Sequence, residues 1–338
     1  MKVLEKVHYS KYKVAGNTLD QKICSLDLYT PSWLAKAISQ ANKDLSARGI
    51  SKLKPFIYFS DDWAVPNRTI QVQIPFYLGN PEILSICSQK MITEGITYAG
   101  ALKLVRHEFG HCFANAYRLQ ETREFQQIFG NPETNYEPYR YKWQPYSRRY
   151  VKNLPDGYAQ CHPDEDFAES FAIFLSNENW RIYFRSKQHI IKKLIQVEKW
   201  VQKYGNKTPI IRKNRPQDQA KYIDRTIRQY LDDLRTEMGA DAPDFYDKRL
   251  KKWASSKSSG LAAGSFLQQN HSQICNHVAN KASCFKYEVS LILKKWQKRS
   301  QHLGLYTFHN STDTKAIIME QLEKVISHND FKKSTNDF

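Results

Sequence analysis

The sequence predicts an α+β fold, in which a small sheet lies beside a pair of helices and a basic, α-helical C-terminal region follows. Three observations carry this. Two short runs have strand chemistry, later segments space their apolar residues as helices do, and positive charge gathers in the second half of the chain. The chain has 338 residues, 41% of them hydrophobic and 13% aromatic, enough for one large domain or two ordinary ones and unlike a disordered chain. A division into residues 1–205 and 206–338 is expected, the second part either a separate domain or part of the same unit. The longest fully apolar run, Phe171 to Leu175, is too short to cross a bilayer.

The N-terminal residues include Lys2, Lys6, Lys11 and Lys13 but no apolar stretch of the length a general secretory signal needs. The cytoplasm is therefore the default location, with export by a specialised secretion system left open. Helical spacing from Trp33 to Leu45 is followed by FIYF (Phe56 to Phe59), a turn-rich SDDWAVPN and the alternating IQVQI (Ile70 to Ile74). The alternation places Ile70, Val72 and Ile74 on one face and Gln71 and Gln73 on the other, as in a half-buried or edge strand that Pro75 ends. From about Ala99, Leu102, Val105, Phe109, Phe113 and Ala116 recur with the period of an amphipathic helix. A long segment from Gln120 to Cys161 is too rich in Pro, Gly and Tyr for a regular element, and loops of that length are usually functional. Pro163, then Asp164, Glu165 and Asp166, then Phe167, Phe171 and Phe174 announce a second helix. Helices are expected at Ile190 to Val201, at Tyr222 to Leu234 with a stop at Gly239, at Phe285 to Trp296 and at Ile317 to Ile326. Ala254 to Ser265 reads as a linker.

Residues His107, Glu108, Phe109, Gly110 and His111 form an HExxH inside the first helix. Residues four apart share a helix face, so both imidazoles can reach one Zn²⁺ while Glu108 stands beside a water. A random chain of this composition would show the pattern only about one or two times in a hundred. The bland alternative is two histidines and a glutamate on a solvated face. Catalytic zinc usually has three protein ligands, and the second helix offers Glu165 and, one turn later, Glu169. Acids in a first turn also suit the helix dipole without any metal. Two carboxylates a turn apart on a stripe with Ala168 and Ala172 fit a ligand and its supporter better. His162, beside Pro163, is a rival third ligand or a helix cap.

LVRHEFGHCFANAYRL, IPFYLGNP, PYSRRYV and GYAQCHPDEDFAESFAIFL resemble a bacterial family of zinc-binding metallopeptidases, with the resemblance continuing through Tyr222 to Trp253 and, more weakly, to the C-terminus. The catalytic motifs are also similar to those of the anthrax lethal factor protease, where a Tyr precedes by seven residues a Glu that opens ExxAE; here these are Tyr158 and Glu165. The resemblance implies a zincin-like core of gluzincin type, with His107, His111 and Glu165 on zinc, Glu108 as base and Tyr158 as transition-state donor. It does not extend to substrate or partners. These roles are chemically coherent. Zinc acidifies a water and polarises a carbonyl, Glu108 accepts the proton, Tyr158 donates to the oxyanion, and Glu169 fixes an imidazole tautomer.

Tyr136, Tyr139, Tyr141, Trp143, Tyr146 and Tyr150 with Arg140, Arg148 and Arg149 have the composition of a single-strand nucleic-acid surface, or else wall the substrate cleft. Cys161 is either a redox-sensitive thiol or a small packed residue. With no CxxC and no regular spacing, the six cysteines suggest reduced thiols. Residues 1–175 hold 21 basic and 18 acidic side chains, leaving 30 and 16 beyond. That basic half admits nucleic acid or an anionic surface as partner, though its lysines interleave with apolar positions as on solvated faces. The sequence thus reads as a zinc-dependent hydrolase of proteins or peptides, its extended substrate pairing with the edge strand at Ile70, Val72 and Ile74. The rival is a non-catalytic basic binding protein with a structural zinc.

Overall fold

The computed structural model describes residues 18–91, 93–136, 141, 144, 146–211, 216, 218–238, 245–308 and 311–327. The N-terminal lysines, Tyr139, Arg140, Trp143 and the Gly239 stop lie outside them. The chain divides into two compact units, residues 1–85 with 93–229 and residues 86–92 with 230–338. Among the described residues no helix is long and apolar enough to cross a membrane.

In the first unit the elements are α1 (Ser32–Ala47), β1 (Phe56–Ser60), β2 (Gln71–Pro75), the start of α2 (Pro81–Lys90), α3 (Tyr98–Tyr117), α4 (Arg123–Ile128), α5 (Pro163–Ser176), α6 (Trp180–Tyr183) and α7 (Gln188–Tyr204), with α8 (Ile227–Met238) beginning at its end. The unit is mostly helical, and β1 and β2 form a two-stranded parallel sheet with Phe56 opposite Gln71 and Phe59 opposite Ile74. The expected half-burial of β2 is corrected here: all five of its residues are buried. On its polar face Gln73 is satisfied by side chains that lie over it, donating from Nε2 to the hydroxyl of half-buried Tyr58 (3.2 Å) and to the carboxylate of exposed Asp218 (3.4 Å).

The helix expected from Ala99 runs from Tyr98, where the Thr97 hydroxyl accepts the Gly100 amide and caps it. It is not a surface helix. From Leu104 to Tyr117 nearly every residue is buried, because α1 and α5 both pack on it and α7 packs behind α5. Asp44 of α1 meets Arg106 at 2.7 Å, and Phe113 stacks on Phe171 of α5 with centroids 5.1 Å apart. Phe125, Phe129, Phe167 and Trp200 continue that aromatic core. Residues 220–227 fold back on the start of the unit through Ile23 N–H to Arg225, Cys24 N–H to Ile223 and Ile227 N–H to Gln21, all 3.0 Å.

The second unit contains α9 (Asp247–Leu250), β3 (Ala254–Ser255), α10 (Ala263–Ala282), α11 (Lys286–His302), β4 (Tyr306–Thr307) and α12 (Ser311–Ser327). Its core gathers Trp253, Phe266, Ile274, Val278, Ile292, Trp296, Ile318 and Leu322. The segment read as a linker is instead structured: Ala254 pairs antiparallel with Thr307, and α10 begins at Ala263. Gly260 lies so close to Thr307 that a Cβ there would sit 1.9 Å from its carbonyl oxygen, so the small-residue composition serves close packing.

One glycine positions the two helices that matter most. A Cβ on Gly110 would stand 2.8 Å from the Ala168 Cα and 3.2 Å from its carbonyl oxygen. Since the obstruction is backbone, Gly110→Ala must push α3 and α5 apart, and overpacking of this kind typically costs about 1–3 kcal/mol. We expect a lower melting temperature in that variant. A wild-type value would show that the helix spacing is not set at this point.

Candidate metal centre

The histidines come from α3 and the carboxylates from α5. His107 and His111 turn their Nε2 atoms toward one point, 3.1 Å apart, and Oε2 of Glu165 lies 2.9 Å from the first and 3.2 Å from the second. A tetrahedral ion with bonds of about 2.0–2.1 Å spaces its ligand atoms roughly 3.3 Å apart. The triangle therefore has nearly the dimensions a zinc ion requires, and these three residues form a group able to hold a metal. His107 is 2% exposed and Glu165 5%, which removes the reading of a solvated helix face.

Glu169, wholly buried, stands behind His107 with Oε1 2.9 Å from Nδ1. It also accepts the amides of Asn153 (3.2 Å) and Leu154 (2.8 Å) and the Asn153 side-chain amide (2.8 Å). A carboxylate accepting that many donors is an acceptor toward the imidazole too, so His107 presents Nδ1–H to Glu169 and its Nε2 to the site. His162 is the N-cap of α5. Its Nδ1 accepts the Asp164 amide at 3.2 Å, and its Nε2 then donates to the Thr134 carbonyl at 3.2 Å. With both nitrogens so engaged, the structure leaves it outside the metal-ligating group.

Electrostatics follow from burial and from these contacts. Burial alone would lower the His107 pKa, but the hydrogen bonds its ring donates to Glu165 and Glu169 outweigh it and hold the ring well above its ordinary value. For His111 burial is likewise overridden, here by the Glu165 charge. Burial would raise Glu165, yet the His111 charge and the bonds from both imidazoles bring it far below the usual carboxylate range. Glu108 goes the other way: burial raises it against the pull of the two imidazoles. Its Oε2 is buried without a hydrogen-bond partner. An orphaned carboxylate oxygen beside three convergent ligand atoms is what a site that receives a cation and a water would leave.

Tyr158 brings its ring to 5.7 Å from that of His107, and burial with the nearby Glu165 charge keeps its phenol strongly protonated. Its hydroxyl is 2.9 Å from that of Tyr136. Cys161 is pushed up to about 12 by burial and by Glu165, so it is a thiol at neutral pH and not a reactive thiolate. Ile70, Val72 and Ile74 are 8%, 0% and 2% exposed; their side chains belong to the core and are not brought to the metal group. On that strand Gln73 N–H is taken by the Ala64 carbonyl at 2.8 Å. Of the aromatic segment, Tyr136 joins the site, Tyr150 packs under Lys193 (4.2 Å), Arg148 donates to the Ser186 carbonyl (3.1 Å), and Tyr146 is exposed.

Sequence reasoning did not assign Asn153, Leu154 or Thr134 to the site, and no spacing signal marks them. Asp62 was also missed. It sits in the turn after β1 with its carboxyl pushed up to about 7 by desolvation, and with the charges of Glu94, Asp61 and Glu108 acting in the same direction.

Residues 95–258 match the model of a family described as putative zinc-binding metallo-peptidase, a span that includes both α3 and α5. No curated protein and no solved structure matches the chain.

Zinc needs neutral imidazoles, whereas the metal-free site favours protonated ones, so zinc binding should expel protons and tighten as pH rises through neutrality. Calorimetric titrations of zinc in buffers of different ionisation enthalpy measure this; an observed enthalpy independent of buffer would contradict it. In the metal-free protein, the raised imidazoles contribute stability fully below 6.5 and lose it as pH climbs through their folded values. The lowered Glu165 contributes fully above 4.5 and loses it in acid. Thermal melts in chelator should thus place the joint contribution of His107, His111 and Glu165 at its greatest between 4.5 and 6.5, with the raised Glu108 carboxyl working against it as pH climbs above 4.5, and added zinc should move the optimum upward.

A second expectation concerns the ligand order. Glu165→Ala should lose zinc under mild chelation. Glu169→Ala should lose about 10- to 100-fold in affinity, as removal of a group that orients a ligand does. His162→Ala should retain the metal. Equal retention by all three would show that α5 does not supply the third ligand.

Proposed function

We propose that the chain is a zinc metallopeptidase that hydrolyses peptide bonds, with a zincin-like core of gluzincin type built on α3 and α5. The observation that carries this reading is the triangle of His107, His111 and Glu165 beside the unpartnered buried oxygen of Glu108. Three protein ligands are the number that catalytic zinc sites keep, whereas structural sites close with four. Zinc held by these residues would polarise a scissile carbonyl and acidify a water.

The chain's own groups then have separable tasks. Glu108, its carboxyl raised by burial, takes a proton from the attacking water and returns it to the leaving amine. Tyr158, kept protonated by its surroundings, donates a hydrogen bond to the oxyanion that develops on the carbonyl. Glu169 holds His107 in the tautomer that offers Nε2. Asn153 and Leu154 hold Glu169 in turn. The substrate is an extended peptide; Ile70, Val72 and Ile74, expected to pair with it, are buried as whole residues and the Gln73 N–H is already taken by the Ala64 carbonyl, so the pairing is not carried by these residues.

The rival, a basic binding protein with a structural zinc, has no use for the Glu108 oxygen. Glu108→Gln should keep about one zinc per chain and abolish turnover of a peptide library. Tyr158→Phe should lower kcat by about a hundredfold or more with zinc content and KM little changed. A metal-loaded Glu108→Gln protein that still cleaves peptides would exclude the proposed base.

A further inference from the structure

We infer that Tyr136 is a positioning residue for Tyr158, its hydroxyl holding the Tyr158 phenol between turnovers and supporting its hydrogen bond to the oxyanion. The inference rests on the peptidase reading and extends it to a residue in the irregular segment between α4 and α5. The two hydroxyls lie 2.9 Å apart. Tyr136 also places its ring edge-on to that of His162, with centroids 5.4 Å apart, and the Thr134 carbonyl two residues earlier accepts from the same imidazole. The residue that caps α5 therefore fixes the segment from Thr134 to Tyr136. Since α5 carries Glu165, the anchor of Tyr136 and the ligand move as one body.

Hydrogen-bond bookkeeping gives the hydroxyl a task that the ring alone cannot perform. At rest the two phenols share one hydrogen bond, which either hydroxyl can donate. When charge develops on a bound carbonyl, Tyr158 O–H turns to that oxygen and Tyr136 O–H turns to Tyr158. Both phenols keep their protons throughout. A phenol that accepts one hydrogen bond is a stronger donor of its own, because chained hydrogen bonds polarise one another. Tyr136 is half exposed, so its packing does not demand a tyrosine, and a phenylalanine would keep the contact with His162.

The test uses the full zinc-loaded chain and the variants Tyr136→Phe, Tyr158→Phe and both together. Tyr136→Phe should lower kcat roughly tenfold, at the low end of losses for orienting partners, with KM and zinc content unchanged. In the Tyr158→Phe background it should have no further effect. A second readout needs no turnover. In metal-free protein labelled with carbon-13 at tyrosine Cζ, the Tyr158 resonance, recognised by its loss in Tyr158→Phe, should shift in Tyr136→Phe. An unmoved Tyr158 resonance, a kcat loss equally large in both backgrounds, or a loss explained by missing zinc would each overturn the inference. If the wild-type protein cleaves no peptide, the peptidase reading fails, and the resonance alone still decides whether Tyr136 holds Tyr158.

Discussion

The close approach of α3 to α5 at Gly110 and Ala168 is the constraint on which the site depends. His107, Gly110 and His111 on one helix, and Glu165, Ala168 and Glu169 on the other, share the same offsets from the contact point. A residue three before and a residue one after lie on the same helix face, flanking the contact. Two small residues at the crossing thus let the polar neighbours on either side meet at hydrogen-bond distance, His107 with both Glu165 and Glu169, His111 with Glu165. A larger side chain at either small position would act on all three contacts at once.

That geometry creates an electrostatic demand. Glu108, Glu165 and Glu169 are all buried, and unpaired buried charge is strongly unfavourable. Protons on the two imidazoles answer part of the demand in the metal-free protein, as the raised His107 and His111 show. A divalent cation held by His107, His111 and Glu165 would answer it without them, so protons and metal would compete for one electrostatic role. Glu108 stands apart from this balance, since its carboxyl is raised while that of Glu165 is lowered within the same few residues. Two carboxylates whose environments push them in opposite directions are suited to different tasks, one to holding a cation and one to moving a proton.

Legibility in the sequence followed the range of the interaction. HEFGH, Pro163 with its acids, and the two strand runs are local patterns, and α3, α5, β1 and β2 stand where those patterns put them. The burial of Gln73 was not legible, because its side chain is satisfied by Tyr58 on the neighbouring strand and by Asp218, 145 residues away in the chain. Helix α10 was missed for a different reason. Its apolar residues Phe266, Leu267, Ile274 and Val278 are thinly spread among polar ones, and the glycine and serine before it have the composition of a linker. Tyr136 was visible as one of many aromatics, but its partner Tyr158 could be matched to it only in space.

The irregular segment between α4 and α5 explains why its contribution could not be read locally. Among its described residues, several anchors are side chains of α5 or residues held by them: Thr134 on His162, Asn153 and Leu154 on Glu169, and Arg149, whose carbonyl accepts from Lys193, which is itself paired with Asp166. No regular backbone ladder organises these points, so no periodicity announces them. The helix that carries Glu165 therefore also helps to order the loop. A single element ties ligand, imidazole orientation and Tyr158 to one frame, and residues of the loop that do not touch that frame, such as Tyr146, are free to vary without disturbing it.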